Sequence, residues 1–197
     1  MRQFLRVLVL VVGAPLAARL PAQVVLAPAV EAQIAAALLP LPEEFRADAT
    51  VLGYLVGNKL TKLRQGSGAM ICLADDPREA RFHVACYHRD LEPFMARGRE
   101  LRALGMSADS AAAQRNAEVE AGTLPMPRQG ALWQLSAAPD SMDWSTNTPR
   151  GARGFYVVYL PGATTASTGL PAKPMPGTPW LMFPGTPRAH IMFVPTM

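Results

Sequence analysis

Cysteines, charged residues and aromatic residues are scarce in this chain of 197 residues. It has 2 Cys, 17% of its residues are charged, and 7% are aromatic. Two cysteines cannot frame a disulfide-dense mini-protein, and so low a charge is not that of a coiled coil. Hydrophobic residues make up 50% of the chain, which argues against global disorder. Length and composition therefore predict one folded domain with a sizeable core.

Recognisable catalytic and cofactor-binding motifs are also missing. The chain has no Walker loop, no Gly-x-Gly-x-x-Gly, no His-Glu-x-x-His and no Cys-x-x-Cys-His. Ser67 stands between two glycines but lacks the glycine two residues before it that a nucleophile elbow requires. The acidic pairs at residues 75–76 and 140–143 do not match a calcium loop. The absence of these motifs argues against an enzyme and predicts that the protein binds no cofactor.

The first 22 residues have the pattern of a secretory signal peptide. Arg2 and Arg6 precede 12 uncharged, mostly apolar residues. This run is shorter than the ~20 residues that cross a bilayer, and small residues follow it. The pattern predicts cleavage after Ala22, with cleavage after Ala29 as an alternative.

The predicted mature chain is nearly neutral. Cleavage removes three of the 19 basic residues and no acidic residue, which leaves 16 basic against 15 acidic residues and a net charge of +1. No stretch is basic enough to predict a nucleic-acid partner, and no second apolar run is long enough to span a membrane. We expect a soluble periplasmic or secreted protein, with one domain over residues 23–197.

The chain after the leader predicts an α+β fold. Four β-prone runs separated by short turns indicate an antiparallel meander over residues 50–88. Two amphipathic or alanine-rich segments, at about 90–104 and 107–121, predict helices that pack on one face of the sheet, with Asp90 and Ser107 as their N-caps. The predicted strands of the meander are residues 50–56, 59–64, 69–74 and 81–88.

The C-terminal third is rich in proline and glycine and contains a short repeat. Pro-Gly-Thr-Pro occurs at residues 176–179 and again at 184–187, and each copy precedes an apolar run. Because Pro-Gly pairs set tight turns, each copy predicts a turn followed by a strand on the main sheet. Residues 133–137 and 154–160 also read as strands, and the polar segment between them reads as a loop.

Cys72 and Cys86 have the positions of a disulfide across a hairpin. In an exported protein, two cysteines are more often paired than free. If the strands around residues 75–77 form a hairpin, the two cysteines lie opposite each other. The alternatives are free buried thiols, a pair of thiolate metal ligands, and a redox pair, which the lack of a Cys-x-x-Cys motif disfavours.

His88, His190 and Met192 form a candidate metal site. Imidazole and thioether groups suit copper, and the His-x-Met spacing of His190 and Met192 resembles the His-x-Met element of periplasmic copper chaperones, over three residues only. A version with Cys86 as ligand would suit zinc or copper but competes with the disulfide. The alternative interpretation is that His88 ends a strand and that His190 is hydrogen-bonded near a turn.

Trp144 is a candidate binding residue, because it stands in a polar segment where a large apolar side chain is hard to explain by packing. The leading hypothesis is thus an exported, non-catalytic binding or interaction module for an unknown protein or small molecule. One alternative is a periplasmic copper- or zinc-handling protein. A second is a hydrolase whose serine, histidine and acid are dispersed in the sequence.

Expression with the complete leader in a bacterium that has a periplasm tests the export prediction. We expect an intact mass that begins at Gln23 and is two hydrogens below that of the reduced chain. A mass beginning at Val30 would select the alternative cleavage site, and an uncut chain would overturn the export prediction.

Overall fold

The computed structural model describes residues 26–55, 59–175 and 177–195. Within them, eight strands form one sheet and two short strands form a separate hairpin. The helices are α1 (Val30–Ala37), α2 (Glu43–Arg46), α3 (Glu92–Ala103), α4 (Ala108–Glu120) and α5 (Thr165–Thr168). The strands are β1 (Thr50–Tyr54), β2 (Leu60–Arg64), β3 (Met70–Leu73), β4 (Arg81–His88), β5 (Gly130–Pro139), β6 (Met142–Asp143), β7 (Thr148–Pro149), β8 (Arg153–Tyr159), β9 (Trp180–Met182) and β10 (His190–Phe193).

The sheet has the order β2-β1-β3-β4-β5-β8-β10-β9. Every neighbouring pair is antiparallel except β1 and β3, which run parallel. The prediction of an α+β fold with a mostly antiparallel sheet is confirmed. The prediction of a simple meander over residues 50–88 is wrong, because β3 does not pair with β2.

A close backbone crossing explains this difference. After β2 the chain returns past the start of β1, where the Gly68 amide donates to the carbonyl oxygen of Asp48 at 2.8 Å. A Cβ atom on Gly66 would lie 2.1 Å from that same oxygen, so the crossing requires glycine. Arg64 holds the crossing by donating to the carbonyl oxygens of Arg46 and Ala49. The chain then enters β3 on the other side of β1.

Cys72 and Cys86 are bonded to each other and are fully buried. They lie directly opposite in the β3–β4 register, so the predicted disulfide is confirmed. Side chains from α1, the following turn and β1 pack around it. The disulfide therefore lies inside the core rather than at the surface.

The alternation of β4 defines the two faces of the sheet. Phe82, Val84 and Cys86 point to one face, and Ala85 and Tyr87 point to the other. We call the first the α1 face, because α1 packs on it, and the second the α3 face.

On the α1 face, the buried side chain of Gln33 attaches α1 to the sheet. Its amide nitrogen donates to the carbonyl oxygens of Pro28 and Tyr54, both at 2.8 Å, and its oxygen accepts from the Tyr54 amide at 2.8 Å. A Cβ atom on Gly53 would lie 2.7 Å from that oxygen. Because both its nitrogen and its oxygen are hydrogen-bonded, the buried Gln33 amide fixes the N-terminal segment against the end of β1.

On the α3 face, the two predicted helices are present. The Phe94 ring of α3 lies 6.3 Å from the Tyr159 ring of β8, and Arg97 of α3 forms an ion pair with Glu118 of α4 at 2.7 Å. Ser107 caps α4 as predicted, since its hydroxyl accepts from the Ser110 amide. Asp90 does not cap α3, because it lies inside a 3₁₀ turn, Arg89–Leu91, that precedes the helix.

The C-terminal third follows its predicted pattern with one addition. The two predicted apolar runs form β9 and β10, and β9 is the edge strand of the sheet. The polar segment between β5 and β8, expected to be a loop, contains the β6–β7 hairpin. This hairpin carries Trp144.

Replacing both Cys72 and Cys86 with alanine is expected to lower the free energy of unfolding by about 3 kcal/mol, because the disulfide closes a loop in the unfolded chain. The two cysteines are 14 residues apart. Urea unfolding of the oxidised protein and the variant measures the loss, and a reductant should bring the wild-type midpoint toward that of the variant. Equal midpoints in all three samples would contradict the stabilising role of the bond.

Candidate functional site

Trp144 is held at the tip of the β6–β7 hairpin by the residue that precedes it. The Asp143 carboxylate accepts from the amide of Ser145 at 2.9 Å and from its hydroxyl at 2.6 Å. This turn places the Trp144 ring edge-on to Phe82 of β4, with centroids 6.2 Å apart and planes at 73°. Trp144 is therefore partly buried on the α1 face, with one side left for other contacts.

The open side of Trp144 borders a cavity of about 370 Å³. Three separate segments form its walls: the chain before α1, the turn between β3 and β4, and the β5–β6 region. The lining residues are Leu26, Pro28, Asp75, Pro77, Glu79, Ala80, Phe82, Asp140, Met142 and Trp144. The wall thus combines aromatic and aliphatic side chains with three carboxylates, and none of the described residues that line it is basic.

Asp75 is the most enclosed of these carboxylates. It is half-buried, and one of its oxygens accepts from the amide of His83 at 2.7 Å. Burial raises the pKa of Asp75 to about 6, and the negative charges of Asp76 and Glu79 act in the same direction, while the bond from His83 opposes them. Ionisation of the Asp75 carboxylate is therefore costly in these surroundings.

The cavity carboxylates are not neutralised by any basic side chain in the part of the chain that is described. Among the described residues, Asp75, Glu79 and Asp140 have no ion-pair partner within 4.0 Å. The neighbouring Asp76 differs, because it pairs with Arg78. Arg150 comes close to Asp140 but donates to its backbone oxygen, at 3.2 Å, rather than to its carboxylate.

The three residues of the predicted metal site do not come together. His190 and Met192 share the α3 face of β10, as their spacing predicts. His88 lies on β4, three strands away, which is about 14 Å at the usual strand spacing, and it points to the α1 face. The variant with Cys86 as ligand is also wrong, because that sulfur is in the disulfide. In the part of the chain that is described, no three His, Cys, Asp or Glu side chains converge as a metal site.

His190 instead bonds to the turn that precedes it. Its Nδ1 lies 2.7 Å from the carbonyl oxygen of Arg188, so this nitrogen carries the proton and donates. Burial lowers the pKa of His190, and the adjacent Arg188 charge adds to the effect. The rings of Tyr159 and Phe183 lie 5.1 and 5.7 Å away. Met192 packs with Val157 and Trp180 in the core.

The hydrolase alternative requires a serine beside a histidine. None of the hydrogen bonds among the described residues joins a serine hydroxyl to a histidine ring. His88 accepts from the Asp90 amide at 3.3 Å and His190 contacts the Arg188 carbonyl. Ser67 lies in the turn before β3, as its flanking glycines predict.

Comparison of the chain with protein-family models, curated proteins and solved structures finds no match. Across the described residues, no helix has the length and apolar character of a membrane span. In the sequence, Trp144 stands out in its polar segment, whereas Asp75 has the pattern of a turn residue, since nothing in the local sequence indicates its burial.

The pKa of Asp75 predicts an unusual pH dependence of stability. Between about pH 4 and pH 6 the folded protein retains a proton that the unfolded chain has lost, so the free energy of unfolding falls as the pH rises through this window. Asp75→Asn should remove this contribution. Urea unfolding at pH 4, 5, 6 and 7 measures the difference between wild type and variant.

Asp76→Asn is the matched control for this measurement. Burial by itself would raise the pKa of Asp76, but hydrogen bonds from Arg78 hold it below its usual value, so its contribution to stability is lost as the pH falls. Its variant should therefore differ from wild type with the opposite sign. Identical pH profiles for the Asp75→Asn variant and wild type would contradict the raised pKa.

Proposed function

We propose that this protein is an exported binding module whose cavity beside Trp144 takes a small organic cation, such as an amine with an apolar body. The proposal rests on the kinds of side chain that line this cavity. The Trp144 and Phe82 rings and the half-buried Asp75 carboxylate share a cavity that no described basic residue lines. This is the combination that recognises an ammonium group on an apolar frame.

The energetics of Asp75 favour a positively charged occupant. A half-buried carboxylate without a cation nearby loses hydration and gains little in return. An ammonium group in the cavity would supply the missing partner, and the raised pKa of Asp75 would return toward its ordinary value. Glu79 and Asp140 at the rim would add attraction at longer range.

The aromatic rings of Trp144 and Phe82 provide the second contribution to ligand binding. Indole is the strongest of the aromatic rings in cation–π contacts. The edge-on contact with Phe82 holds the Trp144 ring in one orientation, so little side-chain freedom remains to be lost on binding. A volume of about 370 Å³ is at the lower end of small-molecule sites and suits a ligand of modest size.

We also propose that the protein is exported. The residues that line the cavity favour one of the two predicted cleavage positions. Cleavage after Ala22 keeps Leu26 and Pro28, which line the cavity. Cleavage after Ala29 would remove both, and with Pro28 a partner of the buried Gln33 amide. The first position therefore preserves the site, and an intramolecular disulfide is compatible with an oxidising compartment.

Calorimetric titration with benzylamine tests the proposed ligand class. We expect benzylamine to bind to the wild-type protein at pH 7, and the neutral analogue benzyl alcohol to bind at least about tenfold more weakly, since it cannot pair with Asp75. Asp75→Asn should weaken benzylamine binding by a similar factor. Trp144→Leu should weaken binding of both compounds.

Asp109→Asn, at an exposed position on α4, is the matched control and should leave benzylamine binding unchanged. Equal affinity for benzylamine and benzyl alcohol would contradict recognition of the charge. Unaltered benzylamine binding by both the Asp75→Asn and Trp144→Leu variants would place the ligand elsewhere.

A further inference from the structure

Helix α1 covers only part of the α1 face of the sheet. It packs on β1, β2 and β4, while the α1 face of β8 and β10 stays partly exposed. The alternation of β10 shows this. His190 and Met192, on the α3 face, are buried. Ile191 is half-buried and Phe193 is exposed, and both point to the α1 face, where they contribute to an apolar surface.

Three aromatic side chains lie in one row on this open part of the α1 face. Trp133 of β5 is opposite Tyr156 of β8, and Tyr156 is opposite Phe193 of β10. We call these three residues the aromatic row. The ring centroids of Trp133 and Tyr156 are 4.7 Å apart, and Phe193 is 38% exposed. The row crosses two strand spacings, which is about 10 Å.

Tyr156 leans along its own strand instead of standing upright on the sheet. Gly154 is the preceding residue on the same face, and a Cβ atom there would lie 3.3 Å from the Tyr156 hydroxyl oxygen and 3.6 Å from two ring carbons. The glycine therefore leaves the space that the ring occupies. Because a ring in this position lies along the sheet, it offers a face rather than an edge to a ligand.

A cavity of about 430 Å³ adjoins the aromatic row. Its floor is small and apolar and consists of Gly130, Ala131 and Val158. Ala131 is opposite Val158 in the β5–β8 register and lies two residues from Trp133, so the floor and the aromatic row belong to the same face. The cavity and the row thus form one continuous surface.

Three polar side chains, those of His88, Asp90 and Gln129, form the rim of this cavity. The Nδ1 atom of His88 accepts from the amide of Asp90 at 3.3 Å, so Nε2 of the neutral ring carries the proton and is a donor. The Asp90 carboxylate is an acceptor, and the Gln129 amide offers both functions. The His88 and Asp90 side chains are 36% and 62% exposed, so a ligand can reach them.

We propose that this surface binds a neutral saccharide chain, with its sugar rings on the aromatic row and its hydroxyl groups bonded to the rim of the cavity. A hydroxyl group both donates and accepts, and the rim contains donors and acceptors side by side. The C–H groups on the flat face of a sugar ring are weakly positive and are attracted by the negative face of an aromatic ring.

The charge of the rim favours a neutral ligand. It has a single carboxylate, with the His88 ring 3.5 Å away, and none of the described residues that line the cavity is lysine or arginine. The Trp144 cavity, in contrast, is lined by three carboxylates. Phe82 at that cavity and His88 at this one are about 20 Å apart along β4. The two sites are therefore separate, and this proposal does not depend on the function proposed above.

Calorimetric titration with three neutral trisaccharides, cellotriose, maltotriose and triacetylchitotriose, tests the proposal. We expect saturable binding of at least one of them to the wild-type protein. Phe193→Ala should weaken that binding at least about fivefold, because it removes one ring of the row. Gln129→Ala should weaken it by a similar factor, because it removes hydrogen bonds to the hydroxyl groups.

Tyr156→Phe keeps the ring and should bind the trisaccharide within about twofold of wild type, whereas Tyr156→Ala should lose at least about fivefold. If Tyr156→Ala fails to fold, the Phe193→Ala and Gln129→Ala variants still decide the result. Phe45→Ala is the matched control, because it removes a 45% exposed aromatic ring of α2 and should leave trisaccharide binding unchanged.

Absence of saturable binding of all three trisaccharides would overturn the proposal. Equal affinities of the wild-type, Phe193→Ala and Gln129→Ala proteins, or an equal loss in Phe45→Ala, would also overturn it. A second copy of the chain is the competing occupant of the aromatic row. A dimer in sedimentation velocity that Phe193→Ala converts to monomer, without trisaccharide binding, would assign the row to self-association instead.

Discussion

The register of β3 against β4 is the constraint on which the rest of the structure depends. Cys72 and Cys86 lie opposite each other in these two strands, and their bond makes the register permanent. A shift of one residue would turn every side chain of a strand to the opposite face. Because β4 also pairs with β5 along almost its whole length, the same register extends across the sheet toward β10. The face on which each side chain of β4, β5, β8 and β10 lies follows from it.

The two faces defined by that register carry uncompensated charge of opposite sign. On the α1 face, Phe82 of β4 supports Trp144 beside the half-buried Asp75. On the α3 face, Arg115 and Arg188 stack on aromatic rings, and neither has a described carboxylate within 4.0 Å. Buried or half-buried charges are ordinarily paired. The group on the α1 face is the one that carries the ligand site we propose beside Trp144.

Local sequence signals were sufficient for much of the fold. Turn residues and alternation located the strands of the first sheet region, and Ser107 located the start of α4. The opposition of Cys72 and Cys86 followed from a hairpin with a single turn. The β1–β3 pairing was missed because a glycine crossing against Asp48 and an ordinary turn have the same composition. The local pattern says that the chain turns at Gly66 but not on which side of β1 it returns.

In the candidate sites, too, some residues are recognisable from local sequence and others only from the fold. Trp144 could be singled out because an indole in a polar segment conflicts with its local surroundings. Asp75 could not, because an acid in an Asp-Asp-Pro segment looks like any turn residue until its burial beside Phe82 is known. His190 and Met192 are on one face by spacing alone, whereas the separation of His88 depends on the order of four strands. Tyr156 and Phe193 are ordinary strand residues in sequence, and only the strand pairing brings them side by side.

By itself, then, the sequence determined the α+β class, the two long helices, the opposition of the two cysteines and the turns that lead into the last strands. These features depend on residues close together in the chain, where periodicity and turn chemistry act directly. The tertiary structure alone decided which distant side chains share a cavity and which charges remain without partners. Burial and pairing of that kind arise from contacts between segments far apart in the chain, and no local pattern encodes them.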